Sequence, residues 1–447
     1  MFEKIQSSLK KLKRKVDPFD NMQRFTKVGQ YHVGAVEATP HRQNYYLVVK
    51  YNNQNILKQY LIPEDDHQGL KTYQRSWSKK LKRFEAFEEV DSKRRYTMQE
   101  NIEKFSERVQ KFISPDTLNV GLITDTYDKQ HVLARHLKSD GLQQIQEFNT
   151  LSDMGLLDLK VHLGDWISGC DEGYTSQKRL REMRDAFQDG LVPFVNLKGN
   201  SDDNDSYDAK ESKWPSFGER EFEDIMWHQM YQQEELNAIY SSNGVSYYDY
   251  QNFRLIFINT SDLPYEIDDQ GKKRFNTKKT LAVREDQVEE IIEILSISHH
   301  KRLIFMGHSV PVNRRGDNAL KYNGRTLHEL FAAFNQKATG HLSNHGVPVE
   351  FKLNNQFDFS AIVDSQIVAY IGGHHQVESN YKLNGIDYVT LNTSSHLKSE
   401  TNFNRREKRD LDTPNEVAGY ILNINPSADE LQLFGYGAAT FRKIFKI

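Results

Sequence analysis

Short apolar runs alternate with longer amphipathic stretches along most of this chain, which is the pattern of an α/β fold with both sheet faces covered. The clearest helix is predicted over REDQVEEIIEILSI, where one face carries Val288, Ile291, Ile292 and Leu295. This stretch precedes KRLIFMGH, as a helix that joins two parallel strands should. A hairpin is predicted over GVSYYDYQNFRLIFINTSD, with its turn at Gln251 and Asn252.

Five of the apolar runs end on a residue type that binds metals. The runs VGLITD, VHLGD, VNLKGN, LIFMGH and IVAYIGGH end at Asp125, Asp165, Asn200, His308 and His374. Ligands of open α/β sheets bind at the carboxyl ends of the strands, so residues far apart in sequence can meet at one edge. The pattern therefore predicts a metal site built from strand ends.

The first segment, residues 1–116, is predicted to be a small α+β domain that ends at Ser114-Pro115-Asp116. Its runs YHVGAVEA, NYYLVVKY and NILKQYLIP are rich in β-branched and aromatic residues and predict an antiparallel sheet. The segment contains no recognisable catalytic constellation. Its expected role is binding or placement.

Two helices are predicted in the same segment. The charge-dense stretch 77–112 is predicted to be helical, with a break near Asp91. The opening residues 1–16 form an amphipathic pattern with a basic cluster between Lys10 and Lys15. Such a helix makes a weak contact with an anionic membrane or a partner, or it is a solvated helix packed on its own domain.

Composition and charge narrow the function classes. The 447 residues include 59 basic and 62 acidic side chains, and the net charge of -3 gives no bulk attraction to nucleic acid. The single cysteine, Cys170, excludes an internal disulfide. No apolar stretch reaches the length of a signal-peptide core or a membrane span, so we expect a cytoplasmic protein.

The five strand-end residues and their neighbours resemble the calcineurin-like metallophosphoesterase family. That family has the motifs D-x-H, G-D, G-N-H-D/E, a lone His and G-H-x-H. Here LKGNSDDN differs from the common family string KGNHDDN at one position, and LFGYGAATFR resembles a closing segment of some bacterial and phage members. The resemblance covers residues 117–447 and implies an αββα sandwich.

The resemblance also implies a set of metal ligands. One site is complete, with Asp165, Asn200, His308 and His374, and it suits manganese, iron or zinc. The other site keeps Asp125 and shares Asp165, but Tyr127 and Gln376 replace its two histidines. A phenolate binds ferric iron, so Tyr127 is a candidate ligand. We expect one firm divalent-metal site and one that is weak, altered or empty.

A third family histidine is replaced by Ser201, which cannot protonate a leaving group. Asp202 and His375 are the candidate catalytic residues, and His131 is a further candidate proton donor. Two functions follow from this altered site. The first is a phosphoesterase of reduced or altered activity on a phosphorylated small molecule or polymer. The second is a pseudoenzyme that binds a phosphorylated ligand or a protein partner.

Overall fold

A computed structural model describes residues 25–33, 44–51, 56–63, 72–90, 99–128, 141–211, 214–238, 243–395 and 414–447. The predicted opening helix and His131 lie outside these residues. Described residues up to Val90 form one compact unit, and those from Gln99 onward form a second. No helix among the described residues has both the length and the apolar composition needed to cross a membrane.

The smaller unit is an antiparallel sheet, as predicted. Its strands are β1 Gly29–Val33, β2 Tyr45–Tyr51, β3 Leu57–Pro63, β4 Thr72–Ser78, β5 Arg83–Phe84 and β6 Glu88–Val90. The order is β1-β2-β3-β4-β5, and β6 also pairs with β4. Alternate positions of β2 and β3 bury Tyr45, Leu47, Val49, Leu57 and Leu61 in its core.

The helix predicted to begin at residue 77 is wrong in its first half, where β5 and β6 lie instead. Trp77 and Phe84 pair across the turn with ring centroids 5.1 Å apart, and Phe84 is buried. The Arg75 guanidinium lies 4.1 Å from the centroid of the Phe87 ring. These contacts between strands outweigh the helix propensity of the surrounding Lys and Glu residues.

The larger unit contains two mixed sheets and several helices. Its helices are α1 Gln99–Val109, α2 Gly141–Asp153, α3 Gly173–Phe187, α4 Asp205–Glu211, α5 Glu285–Ser296 and α6 Gly324–Asn335. Shorter turns of other helix types span Glu223–Trp227, Met230–Gln232, Val349–Phe351 and Pro414–Glu416.

The first mixed sheet has the order β21-β20-β19-β7-β8-β9. Its strands are β7 Leu118–Ile123, β8 Leu159–His162, β9 Phe194–Asn196, β19 Ala418–Asn425, β20 Glu430–Gly437 and β21 Arg442–Lys446. Strands β7, β8 and β9 run parallel to one another. Every residue of β7 is buried, so both faces of this sheet are covered.

The second mixed sheet has the order β10-β11-β12-β13-β16-β18-β17. Its strands are β10 Asn237–Ala238, β11 Ser246–Tyr250, β12 Phe253–Phe257, β13 Arg302–Gly307, β16 Gln366–Gly372, β17 Ser379–Leu383 and β18 Ile386–Thr390. A separate hairpin joins β14 Thr339–Ser343 to β15 Asn354–Asp358. The α/β sandwich class predicted from the sequence is confirmed.

Two local predictions are also confirmed in this unit. Helix α5 buries the four apolar side chains that were predicted to share one face. Strands β11 and β12 form the predicted hairpin, and Gln251 of its turn has a left-handed φ of 49°.

The buried carboxylate of Asp262 joins the end of this hairpin to helix α5. It accepts hydrogen bonds from Arg284 Nε (2.7 Å) and Gln287 Nε2 (2.9 Å).

Helix α1 belongs to the larger unit, although the domain boundary was predicted at residue 116. Phe105 lies 5.4 Å from Tyr436 between ring centroids, and the Arg108 guanidinium lies 3.4 Å from the centroid of Phe441. Phe112 stacks on Phe434 at 5.2 Å. The compact units therefore divide near residue 97, because these aromatic contacts join α1 to β20 and the residues after it.

A chain that begins at residue 98 should consequently be more stable than one that begins at residue 117. Removal of α1 exposes the ring faces of Phe434 and Tyr436, and truncating one buried aromatic side chain typically costs about 3 to 5 kcal/mol. Thermal unfolding of the two truncated chains compares them directly. Equal melting temperatures would place the folding boundary at 116 after all.

Point variants of the full chain provide the matched control. Phe105→Ala should lower the melting temperature, whereas Tyr174→Ala should not, because Phe105 is 4% exposed and Tyr174 is 75% exposed.

Candidate metal centre

The ends of five parallel strands bring the predicted ligands together. Asp125, Asp165 and Asn200 follow β7, β8 and β9 of the first mixed sheet. His308 and His374 follow β13 and β16, which are neighbours in the second sheet. Ligand atoms of Asp165, His308 and His374 all lie within 4.8 Å of one another.

His308 is fully buried, and its two ring nitrogens have different partners. Nδ1 lies 2.9 Å from the carbonyl oxygen of Leu163 and donates a hydrogen bond to it. Nε2 lies 3.1 Å from Asn200 Oδ1 and 3.5 Å from Asp165 Oδ2. Both of those oxygens are acceptors, so the geometry favours a positive charge between them and Nε2. A backbone carbonyl that fixes the tautomer in this way is typical of metal-binding histidines.

Three polar atoms of the centre are buried without a hydrogen-bond partner. They are Asp125 Oδ1, Asp165 Oδ2 and His374 Nδ1. An unpaired buried polar atom costs about 1 to 3 kcal/mol, and more when it is charged. A divalent cation that these atoms coordinate would remove this cost, so Asp165, Asn200, His308 and His374 fit a metal ion.

The charges at the centre shift several pKa values. Burial raises the pKa of Asp125 to about 6, although His308 acts to lower it. For Asp165, burial acts to raise the pKa, but the charge of His308 outweighs it and the pKa falls to about 2. Burial acts to lower the pKa of His308, but Asp165 raises it to about 9. These opposed shifts show that the buried carboxylates stabilise a positive charge beside Nε2.

Burial lowers the pKa of His374 to about 3, and the neighbouring His308 adds to this effect. The ring of His374 is therefore neutral near neutral pH. Neutral imidazole is the form that binds a metal ion.

The loops that carry these side chains have a strained backbone. Five non-glycine residues are in the left-handed region, with φ angles of 57° at Asp125, 48° at Tyr127, 58° at Asp165, 62° at His374 and 58° at Gln376. Each such residue costs of the order of 1 to 3 kcal/mol, and this kind of strain concentrates at functional sites. Backbone hydrogen bonds hold the conformation, including Asp125 N to Gly164 O at 3.0 Å and Tyr127 N to Asp165 O at 3.0 Å.

Asp202 is held by backbone donors from two neighbouring loops. Its carboxylate is buried and accepts hydrogen bonds from four backbone N–H groups, those of Asp165, Trp166, Ile167 and Gly199, at 2.8 to 3.3 Å. Burial and the charge of Asp165 raise the pKa of Asp202 to about 7, although these backbone donors act to lower it. The four hydrogen bonds hold the loop of Asp165 against the loop of Asn200, and the catalytic role of Asp202 stays a prediction.

Tyr127 and Gln376 contact each other. The amide Nε2 of Gln376 donates a hydrogen bond to the Tyr127 hydroxyl oxygen at 2.8 Å. Burial, together with the charges of Asp165 and Asp125, raises the pKa of Tyr127 well above its ordinary value. The ligand role of Tyr127 stays a prediction.

His375 and Ser201 lie at the same centre. His375 is exposed, and its ring centroid is 5.4 Å from that of His374. The backbone N–H of Ser201 donates to Asp165 Oδ1 at 2.7 Å, and its short side chain has no group that titrates near neutral pH. His375 thus remains the candidate proton donor within the described residues.

The hydroxyl residues that follow β18 were not among the predicted site residues. Thr393 Oγ1 donates to the carbonyl oxygen of Asp125 at 3.0 Å, Ser394 N donates to Thr124 O at 2.8 Å, and Ser395 Oγ donates to Thr126 O. They support the strained loop after β7. The only signal in the sequence is that the run IDYVTLNTSS ends on hydroxyl residues rather than on a recognisable ligand.

Two glycines allow the loops to approach closely. A Cβ on Gly199 would lie 2.1 Å from the backbone nitrogen of Asp165, and one on Gly373 would lie 2.1 Å from Thr124 Oγ1. His162 stacks on Trp166 with ring centroids 3.6 Å apart. Its Nδ1 accepts the Gly164 N–H at 3.1 Å, so it is not a ligand of the centre.

Comparisons with known proteins find similarity only to solved structures, at low sequence identity. No protein-family model matches the sequence, and no curated protein matches it significantly. A dimetal phosphatase from Danio rerio has a TM-score of 0.49 and 12% identity, and the match covers 74% of this chain and 98% of that chain. A purple acid phosphatase from yellow lupin has a TM-score of 0.41 and 13% identity, covering 94% of this chain and 66% of that chain.

The two mixed sheets and the convergence of Asp165, His308 and His374 agree with the fold that the family resemblance implies. The chain has the fold of the metallophosphoesterases. TM-scores below 0.5 do not establish a shared activity. The activity of this chain is therefore inferred from its own residues.

One divalent ion per chain is the expected metal content, because only one ligand set is complete. His308→Ala should release that ion, since it removes Nε2 from the centre. His341→Ala should retain it, because His341 is exposed on β14. Elemental analysis after dialysis measures the content, and two firmly held ions in the unaltered protein would contradict this expectation.

Asp202→Asn should destabilise the fold by on the order of 3 kcal/mol, because the amide NH₂ would face backbone donors that now bind a carboxylate oxygen. Asp203→Asn is the matched control. Its side chain is 13% exposed and makes an ion pair with Lys198 at 2.9 Å. Chemical denaturation should show a smaller loss of unfolding free energy for the control. Equal losses would argue against the role of Asp202 in holding the two loops together.

Proposed function

We propose that this protein is a metal-dependent phosphoesterase of reduced or altered activity, acting on a phosphomonoester or phosphodiester of a small molecule or a polymer. The observation that carries this proposal is that three buried atoms of the centre make no hydrogen bond: Asp125 Oδ1, Asp165 Oδ2 and His374 Nδ1. Each of these atoms can bind a cation, and together they attract one strongly.

Four residues, Asp165, Asn200, His308 and His374, would hold one divalent ion. Their nitrogen and oxygen donors suit manganese, iron or zinc. When bound, such an ion acts as a Lewis acid toward a phosphoryl oxygen and lowers the pKa of water.

The chain's own residues prepare this site. Leu163 fixes the tautomer of His308, so that Nε2 faces the other ligands. Asp202 fixes the loop that carries Asp165. His375 has an exposed ring beside His374 and is the proposed proton donor, in the role that Ser201 cannot fill.

A specific observation also supports a second candidate, a pseudoenzyme that binds a phosphorylated ligand or a protein partner. The hydrogen bond between Gln376 and Tyr127 joins the two side chains that replace the histidines of the other metal site. A centre with one ion and no strong proton donor still binds a phosphate group. It would hydrolyse that group slowly, since proton donation by a side chain is typically worth about 10²- to 10⁴-fold.

The triple variant Tyr127→His, Ser201→His and Gln376→His distinguishes the two candidates. It restores two imidazole ligands and a proton donor, so manganese-dependent hydrolysis of an aryl phosphodiester should rise by about 10²-fold or more. The unaltered protein should show little activity on this substrate. His375→Ala should remove that residual activity, while the exposed His341→Ala should not change it.

Two results would contradict the altered-phosphoesterase account. Robust turnover by the unaltered protein that falls in the triple variant would show a centre suited to another chemistry. A triple variant that binds two ions but stays inert would indicate a cleft closed to substrate, and this would favour the pseudoenzyme.

A further inference from the structure

The side chains of Tyr127 and Gln376 form a contact of their own at the metal centre. They come from the loops after β7 and β16, which belong to different sheets. The 2.8 Å hydrogen bond between them joins these loops directly. Each residue lies two positions after a strained strand-end residue, Asp125 or His374, and is itself left-handed.

The Tyr127 hydroxyl also lies close to both carboxylates of the centre. It is within hydrogen-bonding reach of Asp125 and of Asp165. The backbone N–H of Tyr127 donates to the carbonyl oxygen of Asp165 at 3.0 Å, which fixes the position of the residue. The hydroxyl is thus beside the two negative groups that the resembled family places around its first ion.

A first ion does not fit these side chains. The hydrogen bond leaves the Gln376 amide nitrogen, a donor, directed at the phenol oxygen. The phenol offers a single neutral oxygen. Compared with two imidazoles, this pair supplies weak ligands but does supply the positive ends of O–H and N–H dipoles to the space beside the carboxylates.

We propose that the Tyr127 hydroxyl, held by Gln376, takes the place of the first metal ion and makes this a single-ion centre. The proposal rests on the metal centre described under the proposed function. Tyr127 is a positioning residue here, because its hydroxyl orients the two carboxylates and does not bind the ion. The pair Tyr127 and Gln376 therefore sets the number of ions.

Metal counting without substrate tests this proposal. Chelator-treated protein is titrated with Mn²⁺, and bound ions are counted for the unaltered chain, for Tyr127→Phe and for the double variant Tyr127→His with Gln376→His. We expect about one ion for the unaltered chain and for Tyr127→Phe, and about two for the double variant. Tyr174→Phe, at an exposed tyrosine of α3, is the matched control and should bind as the unaltered chain does.

Three results would overturn the proposal. A Tyr127→Phe variant that binds fewer ions than the unaltered chain would identify Tyr127 as a metal ligand. A phenolate-to-iron absorption band in the Fe³⁺-loaded protein that disappears in Tyr127→Phe would identify the same role. A folded double variant that gains no ion would show that the pair does not control the count, and circular dichroism checks that it is folded.

These outcomes can be separated from a failure of the proposed function. One bound ion without any phosphoester hydrolysis would refute the enzyme and support the single-ion centre. Two bound ions with hydrolysis in the unaltered chain would refute the single-ion centre and support the enzyme. An unaltered chain that binds no ion would overturn both.

Discussion

Two buried carboxylates, those of Asp125 and Asp165, share one site at the junction of two sheets, and the rest of the centre depends on the negative charge that they bring there. Isolated buried charges are costly unless they are paired or bind a cation. The ring of His308 lies against Asp165, and the hydroxyl of Tyr127 lies near both carboxylates. Even so, one oxygen of each carboxylate makes no hydrogen bond. This unsatisfied charge is the strongest physical reason to infer a cation.

The two-sheet architecture explains how such a site can be held open. Three parallel strands of one sheet and two of the other direct their carboxyl ends to the same edge. Each carboxylate accepts a backbone N–H on one oxygen only, Asp125 from His374 at 3.1 Å and Asp165 from Ser201 at 2.7 Å. Asp202 shows the contrast, because both of its carboxylate oxygens are paired with backbone N–H groups. Two aspartates on neighbouring loops thus have opposite roles, one structural and one for a ligand.

The sequence was sufficient to predict the α/β fold, helix α5, the hairpin of β11 and β12, and the five residues that converge. These predictions succeeded because strand ends in a parallel sheet have a fixed geometry, which the order of motifs reveals. The failures have a different cause. The strands β5 and β6 depend on the contact between Trp77 and Phe84, and the role of Asp202 depends on N–H groups from another loop. Neither contact leaves a periodic pattern in the sequence.

The hydrogen bond between Tyr127 and Gln376 could not be predicted for the same reason, since the two residues are joined only through the convergence of two sheets. A motif comparison shows that two histidines are replaced, but it does not show that the replacements contact each other. That contact changes the interpretation of the site. Two unrelated histidine replacements would leave an incomplete metal site. A hydrogen-bonded pair of side chains beside the carboxylates can instead occupy the position of the ion.

The backbone strain bears on whether the centre is used at all. Five left-handed non-glycine residues lie in the loops after β7, β8 and β16. Each costs of the order of 1 to 3 kcal/mol, which is large against the usual net stability of a domain. A protein that needed only the fold would be more stable with glycine or a relaxed turn at these positions. The strained loops instead bring Asp165 and His374 to His308, with ligand atoms of the three residues within 4.8 Å of one another. Ligand binding at this point is therefore common to both proposed functions, and the two differ only in whether the bound phosphate is hydrolysed.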